Sequence, residues 1–282
     1  MPVRMRFGFV IYAFVLSFAT LGLHAQQQQD THAQQIVRTA VQTELAADND
    51  DHSRWQYHDL SRKPDGESLY RVVETDHGSV KKKLKHNGQP LTPEQLKEED
   101  ARIQAFVNDP AQQARQRKDG EQDDKRAENM LRLLPDAFLW TIKSDTPDAI
   151  TLSFTPDPSF NAPSMEARVF SAMAGEIVVT KPQNRIQSIK GKLIRDVKFG
   201  WGFFGHLNQG GTFNVERREI SPRVWQIVES HVHIQGRALL FKNIGEQEDE
   251  VKTDFRRTPP STTLEQAAMI LKAEPTSLDA RR

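Results

Sequence analysis

From Ala174 to Ile244, apolar and polar residues alternate almost without pause, and this constrains the fold more than any other stretch. The run contains Gly175-Glu-Ile-Val-Val-Thr180, Ile186 to Phe199, Gly211 to Ile220, Arg223 to Gln235 and Arg237 to Ile244. Period-two alternation punctuated by turn residues signals half-buried antiparallel strands. One knot interrupts it, Gly200-Trp201-Gly202-Phe203-Phe204-Gly205. Its glycines let the backbone bend, while its aromatic rings project into or over an apolar space.

Strand parity picks out the inward face. Ile189, Gly191, Leu193, Val197 and Phe199 share one side, with Arg195 the exception; Phe213 with Val215, and Leu239 with Phe241, repeat the pattern. The strand from Arg223 slips phase. Trp225 and Ile227 have one parity; Val228, Val232 and Ile234 have the other. A β-bulge near Ile227–Glu229 would bring both sets to one side and curve the strand.

The start of the chain reads as an address. Arg4 and Arg6 precede an apolar run from Phe7 to Leu23, and Leu23-His24-Ala25 ends in a small residue. This predicts a secretory signal over residues 1–25, cut after Ala25, with an uncleaved anchor as the alternative. Without a cysteine anywhere, disulfides and thiolate metal sites are excluded, and the exported domain must rely on its own core. Basic and acidic residues balance at 38 each. That balance gives no reason to expect a nucleic acid partner.

Between signal and meander, Ala33, Ile36, Val37, Ala40, Val41 and Leu45 recur at helical spacing over 31–47. Strands are predicted over 52–60, 68–75 and 80–86, with turns at Lys63-Pro-Asp-Gly66 and Asp76-His-Gly78. Lys81, Lys82, Lys83 and Lys85 mark the third of these as a charged edge strand. Thr92-Pro93-Glu94-Gln95 is a capping box opening a helix that stops at Asn108-Asp-Pro110. Residues 111–126 carry both signs of charge densely, with Gly120 the expected break. A strand over 150–154 and a loop or short helix over 159–173 lead into the meander. After it, Val251 and Phe255 suggest a last strand. A short helix then opens at Thr262, with Glu265 in the capping-box position, and the tail from 273 frays.

No nucleophile elbow, zinc-protease motif or phosphate-binding glycine loop is present. The acidic pairs lie in charged runs, where nothing apolar raises a carboxyl pKa. The sharpest polar set is Glu229-x-His231-x-His233, whose alternate residues point one way and could meet a metal. No third or fourth ligand from elsewhere in the chain is identified, and the bulge argument turns both histidines to solvent. No cofactor and no bound metal are therefore expected.

Gly175-Glu-Ile-Val-Val, Ile186-x-x-Ile189-x-Gly191-x-Leu193, Phe199-Gly200 and Arg237-Ala-Leu-Leu-Phe-Lys242 together resemble the LolA/LolB/LppX-type lipoprotein-carrier family. The resemblance covers roughly residues 33–90 and 148–256. It implies an α+β fold: a curved antiparallel β-sheet, or half-open β-barrel, covered by amphipathic helices. One domain over 26–272 would carry a charged helical insert at about 92–135. The implied function is that of a periplasmic or secreted non-catalytic carrier, binding lipid or the acyl chain of a lipoprotein. The helices at 31–47 and 262–272 would open and close the mouth. Residues 273–282 would be a flexible tail, and no membrane span would remain after cleavage. The expected ligand-binding residues are Ile189, Leu193, Val197, Phe199, Trp201, Phe203, Phe213, Val215, Trp225, Ile227, Leu239 and Phe241. A packed core would use the same side chains. Two rivals follow: an envelope interaction module that binds a protein partner through the charged insert, and a metal enzyme built on the Glu229/His231/His233 strand.

Overall fold

The structure is a computed structural model that describes residues 11–199, 205–238 and 247–273, with side chains over 31–198, 205–236 and 247–273. Helix α1 (Ile11–Asp50) leads into the hairpins β1 (Trp55–Lys63), β2 (Gly66–Thr75), β3 (Gly78–His86) and the two-residue β4 (Gln89–Pro90). Helices α2 (Pro93–Val107) and α3 (Pro110–Ala137) follow, then β5 (Phe138–Asp145), β6 (Ala149–Pro156) and α4 (Met165–Phe170). The meander comprises β7 (Met173–Thr180), β8 (Ile186–Leu193), β9 (Val197–Phe199), β10 (Gly205–Leu207), β11 (Thr212–Ser221), β12 (Val224–His233) and β13 (Gly236–Ala238). Strand β14 (Gln247–Arg257) and helix α5 (Leu264–Ala273) end it.

Eleven strands form one antiparallel sheet in the order β4-β3-β2-β1-β14-β12-β11-β8-β7-β6-β5, which curves but does not close. The α+β class and the open, helix-covered sheet are as the family resemblance implied. Strands β13, β10 and β9 make a separate small sheet. The expected single segment from Ile186 to Phe199 is therefore two strands. Between them Asp196 leaves the ladder to accept the Gln209 N–H at 2.8 Å. Arg195 is exposed there and donates to the Ser171 carbonyl, so it is not a core-facing strand residue.

The register shows how side chains are shared between faces. Ile142, Leu152, Ile177, Ile189 and Val215 lie opposite one another in successive strands, and the same row continues into Ser230, Glu250, Ser61 and Ser68. We call this the inner face. The row above it runs Trp140, Phe154, Gly175, Gly191, Phe213 and Val232. A Cβ on Gly175 would come 2.0 Å from the Lys190 carbonyl oxygen, and one on Gly191 would come 2.7 Å from the Phe213 ring. The two glycines thus make room for the flanking aromatic rings to pack over the sheet.

The expected bulge is present. Glu216 pairs with Glu229 and Arg217 with Ile227, leaving Val228 as the extra residue. This brings Trp225, Ile227 and Val232 to the inner face, as the phase slip required.

Two apolar cores lie on opposite faces. On the inner face, Ala33, Val37, Ala40 and Val41 of α1 and Leu134 and Ala137 of α3 pack on β5–β8. On the outer face, Val73 and Val80 meet Ile103, Phe106 and Val107 of α2 and Leu264, Ala267, Ala268 and Leu271 of α5. Val73 has opposite parity to Ser68, which places α5 across the sheet from α1. Lys82 breaks the simple edge-strand expectation. It is 3% exposed and pairs with Asp100 of α2 at 2.9 Å, while Lys81 and Lys83 lie over the Tyr70 ring.

Helix α2 begins with the capping box expected, Thr92 and Gln95 bonding reciprocally. At α5 the box is one residue later than expected, between Thr263 and Gln266. Helix α3 is continuous for 28 residues, so Gly120 does not break it. Exposed helical propagation tolerates one glycine at a cost of about 1 kcal/mol relative to alanine. A Cβ at Gly120 meets nothing within 4 Å. Gly120→Ala is therefore expected to stabilise the protein by about 0.5–1 kcal/mol, read as a higher denaturant midpoint at unchanged slope.

Candidate functional site

The apolar half of the inner face, with α1 across it, is the candidate site. Leu193 and Val197 are buried, and Ile189 and Phe213 pack against the same core. Val215 continues the row, half-buried. Trp225 lies at the margin, its indole N–H donating to Gln183 Oε1 at 2.9 Å. Ile227 is 41% exposed: the bulge turns it inward, but beyond the reach of α1. The side chain of Phe199 and all of Trp201, Phe203, Leu239 and Phe241 lie outside the described residues. Of the expected strand Arg237 to Ile244, only Arg237 and Ala238 lie within the described residues, in β13.

Helix α1 covers this surface with small side chains, Ala33, Val37 and Ala40, each fully buried. It runs antiparallel to the end of α3, with Gln34 Nε2 donating to the Pro135 carbonyl at 3.0 Å and Arg38 pairing with Asp136 at 2.8 Å. Its main polar anchor is Glu44, 5% exposed. Glu44 Oε1 accepts the Ile186 backbone N–H at 2.6 Å; Oε2 accepts from Arg185 at 2.9 Å and Arg217 at 2.6 Å. Burial alone would raise the Glu44 carboxyl pKa. The hydrogen bond from Arg185 and the charge of Arg217 outweigh it and hold the group below the ordinary carboxylate range. Sequence reasoning missed this network. The signal was present, because Glu44 stands at helical spacing from Val37, Ala40 and Val41 inside the apolar stripe.

Toward β12, β14 and β1 the same face turns polar. Asp59 and Glu250 both have carboxyl pKa values pushed up by burial, and burial with the nearby Glu74 charge pushes the Tyr57 phenol up. Lys252 lies 5.6 Å from the centre of the Tyr57 ring, and Tyr57 stacks on Phe255. The inner face is thus not apolar throughout, contrary to what parity in the meander alone implies. Apolar rows on β5, β6, β7, β8 and β11 give way to the charged groups of β14 and β1, strands outside the meander.

The histidine strand behaves as the bulge argument requires. His231 and His233 point to the outer face, where both imidazoles contact one oxygen of Asp249, at 2.7 and 2.9 Å. Among the described residues no group of three or more His, Asp or Glu side chains is arranged to hold a metal. The hydrogen bond to Asp249 raises the His231 pKa above its usual value. A raised imidazole pKa contributes stability below the unfolded value, 6.5, that is lost as pH rises through the folded one. Asp249→Asn is expected to bring the His231 pKa back down toward 6.5. A titration followed by the imidazole proton resonances checks this, and an unchanged midpoint would sink it.

The fold and site define a class: an open antiparallel sheet with one face half apolar and sealed by an anchored helix. No protein-family model matches the chain, and no curated protein matches it. Among solved structures it is similar to a Vibrio parahaemolyticus domain described as outer membrane lipoprotein-sorting, at 8% identity over 84% of this chain and 99% of that one. The TM-score is 0.32. Among the described residues no helix is long and apolar enough to cross a membrane.

Proposed function

We propose that this chain is an exported, non-catalytic carrier that holds lipid, or the acyl chain of a lipoprotein, against the apolar half of its inner face. The observation that carries this reading is the α1 seam. Ala33, Val37, Ala40 and Val41 of α1, flanked by Ile36 and Leu45, cover the large side chains Trp140, Phe154 and Leu193, and the helix has its buried ionic anchor near one end. Displacing it would bare a continuous apolar surface. Each methylene buried there contributes about 0.8 kcal/mol, so a single long acyl chain can offset the lost helix contacts. Ile189, Leu193, Val197, Phe213 and Val215 are the proposed contacts, with Phe199, Trp201, Phe203, Leu239 and Phe241 extending them. Trp225 would line the rim. Helix α5 has no part in this gate, because it packs in the other core. The α1 segment alone is the lid.

Native mass spectrometry of protein purified from cell envelope, followed by organic extraction, tests the reading. An adduct with the mass of a fatty acid or phospholipid is expected, with saturable uptake of a fluorescent fatty acid by the stripped protein. A clean apo mass without uptake would overturn it and favour an interaction module acting through exposed residues 111–126.

A further inference from the structure

A groove of about 660 Å³ opens where the end of α1 meets the tips of the β7–β8 and β11–β12 hairpins. Its walls carry opposite charge. The α1 end contributes Asp50 and Asp51, and the hairpin tips contribute Arg185 and Arg223; Ala47 and Val224 also line the groove. Among the described residues neither the Asp50 carboxylate nor the Arg223 guanidinium has a partner, whereas Asp51 is taken by Ser53. Arg185 is 6% exposed, and its buried Nε has no hydrogen-bond partner, although its two Nη atoms donate to Glu44 and to the Arg223 carbonyl.

Two independent features say what such a groove would accept. Two guanidiniums, each with donors to spare, suit an anion with several acceptor oxygens, and phosphate is the group that matches them. The opposite wall is the C-terminal end of α1, where backbone carbonyls favour a cation. That last turn has no basic residue and carries Asp48 and Asp50 instead, so it is electrostatically unfavourable as it stands. A bound ammonium would relieve it.

We infer that this groove binds a phosphoethanolamine headgroup, the phosphate on Arg185 and Arg223 and the ammonium on Asp50 and the α1 terminus. The inference rests on the carrier reading and names the lipid class it serves. It also supplies a coupling. Phosphate on the remaining donors of Arg185 shares that guanidinium with Glu44, so a seated headgroup bears directly on the anchor of the helix that covers the apolar face.

Calorimetric titration of the full chain with O-phosphoethanolamine, inorganic phosphate and ethanolamine is the test. O-phosphoethanolamine is expected to bind at least about tenfold more tightly than either half. Arg223→Gln should weaken it by about tenfold or more, and Asp50→Asn should reduce it to the level of phosphate. Both positions are on exposed turns or helix ends, so neither change threatens folding. Equal affinity for phosphate and O-phosphoethanolamine would overturn the zwitterion assignment, and no saturable binding would overturn the site. Flotation with phosphatidylethanolamine and phosphatidylglycerol vesicles separates the sources. Retention on the former that Arg223→Gln abolishes supports a lipid headgroup, and binding of the soluble compound alone overturns it. A fluorescent fatty acid lacks the headgroup. If its uptake fails while O-phosphoethanolamine still binds, the carrier reading falls and the groove stands.

Discussion

Glu44→Gln is expected to lower the melting temperature by about 6–20 °C. The substitution keeps shape and one acceptor but removes the charge that Arg185 and Arg217 share inside the fold. Breaking a buried ion network by removing one partner costs about 3–5 kcal/mol, because the remaining cations stay desolvated. For a protein of this size each kcal/mol moves the midpoint by about 2–4 °C. The pH dependence gives a second readout. A carboxyl pKa held low in the folded state contributes stability above the unfolded value, 4.5, which is lost as pH falls through the folded value. Wild-type stability should therefore decline below about pH 4.5, and Glu44→Gln should lose that part of the slope. Differential scanning calorimetry between pH 3 and 7 measures both (about four units around the unfolded value). An unchanged midpoint and acid limb would mean that the network does not anchor α1. If α1 is the lid, the same variant should take up a fluorescent fatty acid faster.

Trp140→Ala should cost a comparable amount, about 3–5 kcal/mol, through the cavity it leaves. Trp140 is 2% exposed and touches Phe138 and Phe154, with ring centroids 5.8 and 5.4 Å away. Its indole N–H also donates to the Pro135 carbonyl at 3.2 Å, tying the end of α3 to β5. Trp140→Phe separates the two contributions. It retains most of the aromatic contact and deletes the donor, so about 1–2 kcal/mol should be lost, part from the hydrogen bond and part from the smaller ring. Urea unfolding of both variants decides. Equal losses would place the whole effect in the hydrogen bond and contradict the packing account.

The sheet was readable in the residues because period two survives wherever one face is buried. The phase slip in Trp225–Ile234 located a bulge to within a residue, and Thr92 with Gln95 located the start of α2. What period two does not carry is which strands neighbour one another. β14 pairs with both β1 and β12, a contact between residues nearly two hundred positions apart. That pairing puts polar β1 and β14 residues on the same face as Ile189 and Phe213. It also sets Val73 on the far side, so the second core and the position of α5 followed from pairing rather than from pattern. The partner of Glu44 was hidden for a related reason. Glu44 stands inside the apolar stripe, but Arg185 looks like an ordinary surface charge until the fold brings the two together across 141 positions. Gly120 misled because exposed i,i+3 pairs such as Asp123–Arg126 support the helix around it.

Among the described residues the two cores lie on opposite faces, and they are expected to behave as two separately cooperative units joined by the sheet and by α3. Opening one need not expose the other to solvent. Release of α1 would leave Val73, Val80, α2 and α5 packed, so α1 is expected to detach at a fraction of the free energy of global unfolding. In amide exchange the α1 protons would then exchange by local opening, while those of β2 and β3 wait for the whole molecule. Under the proposed carrier function, cargo would enter and leave on that faster clock, with the far half of the protein as the fixed frame to which α1 returns.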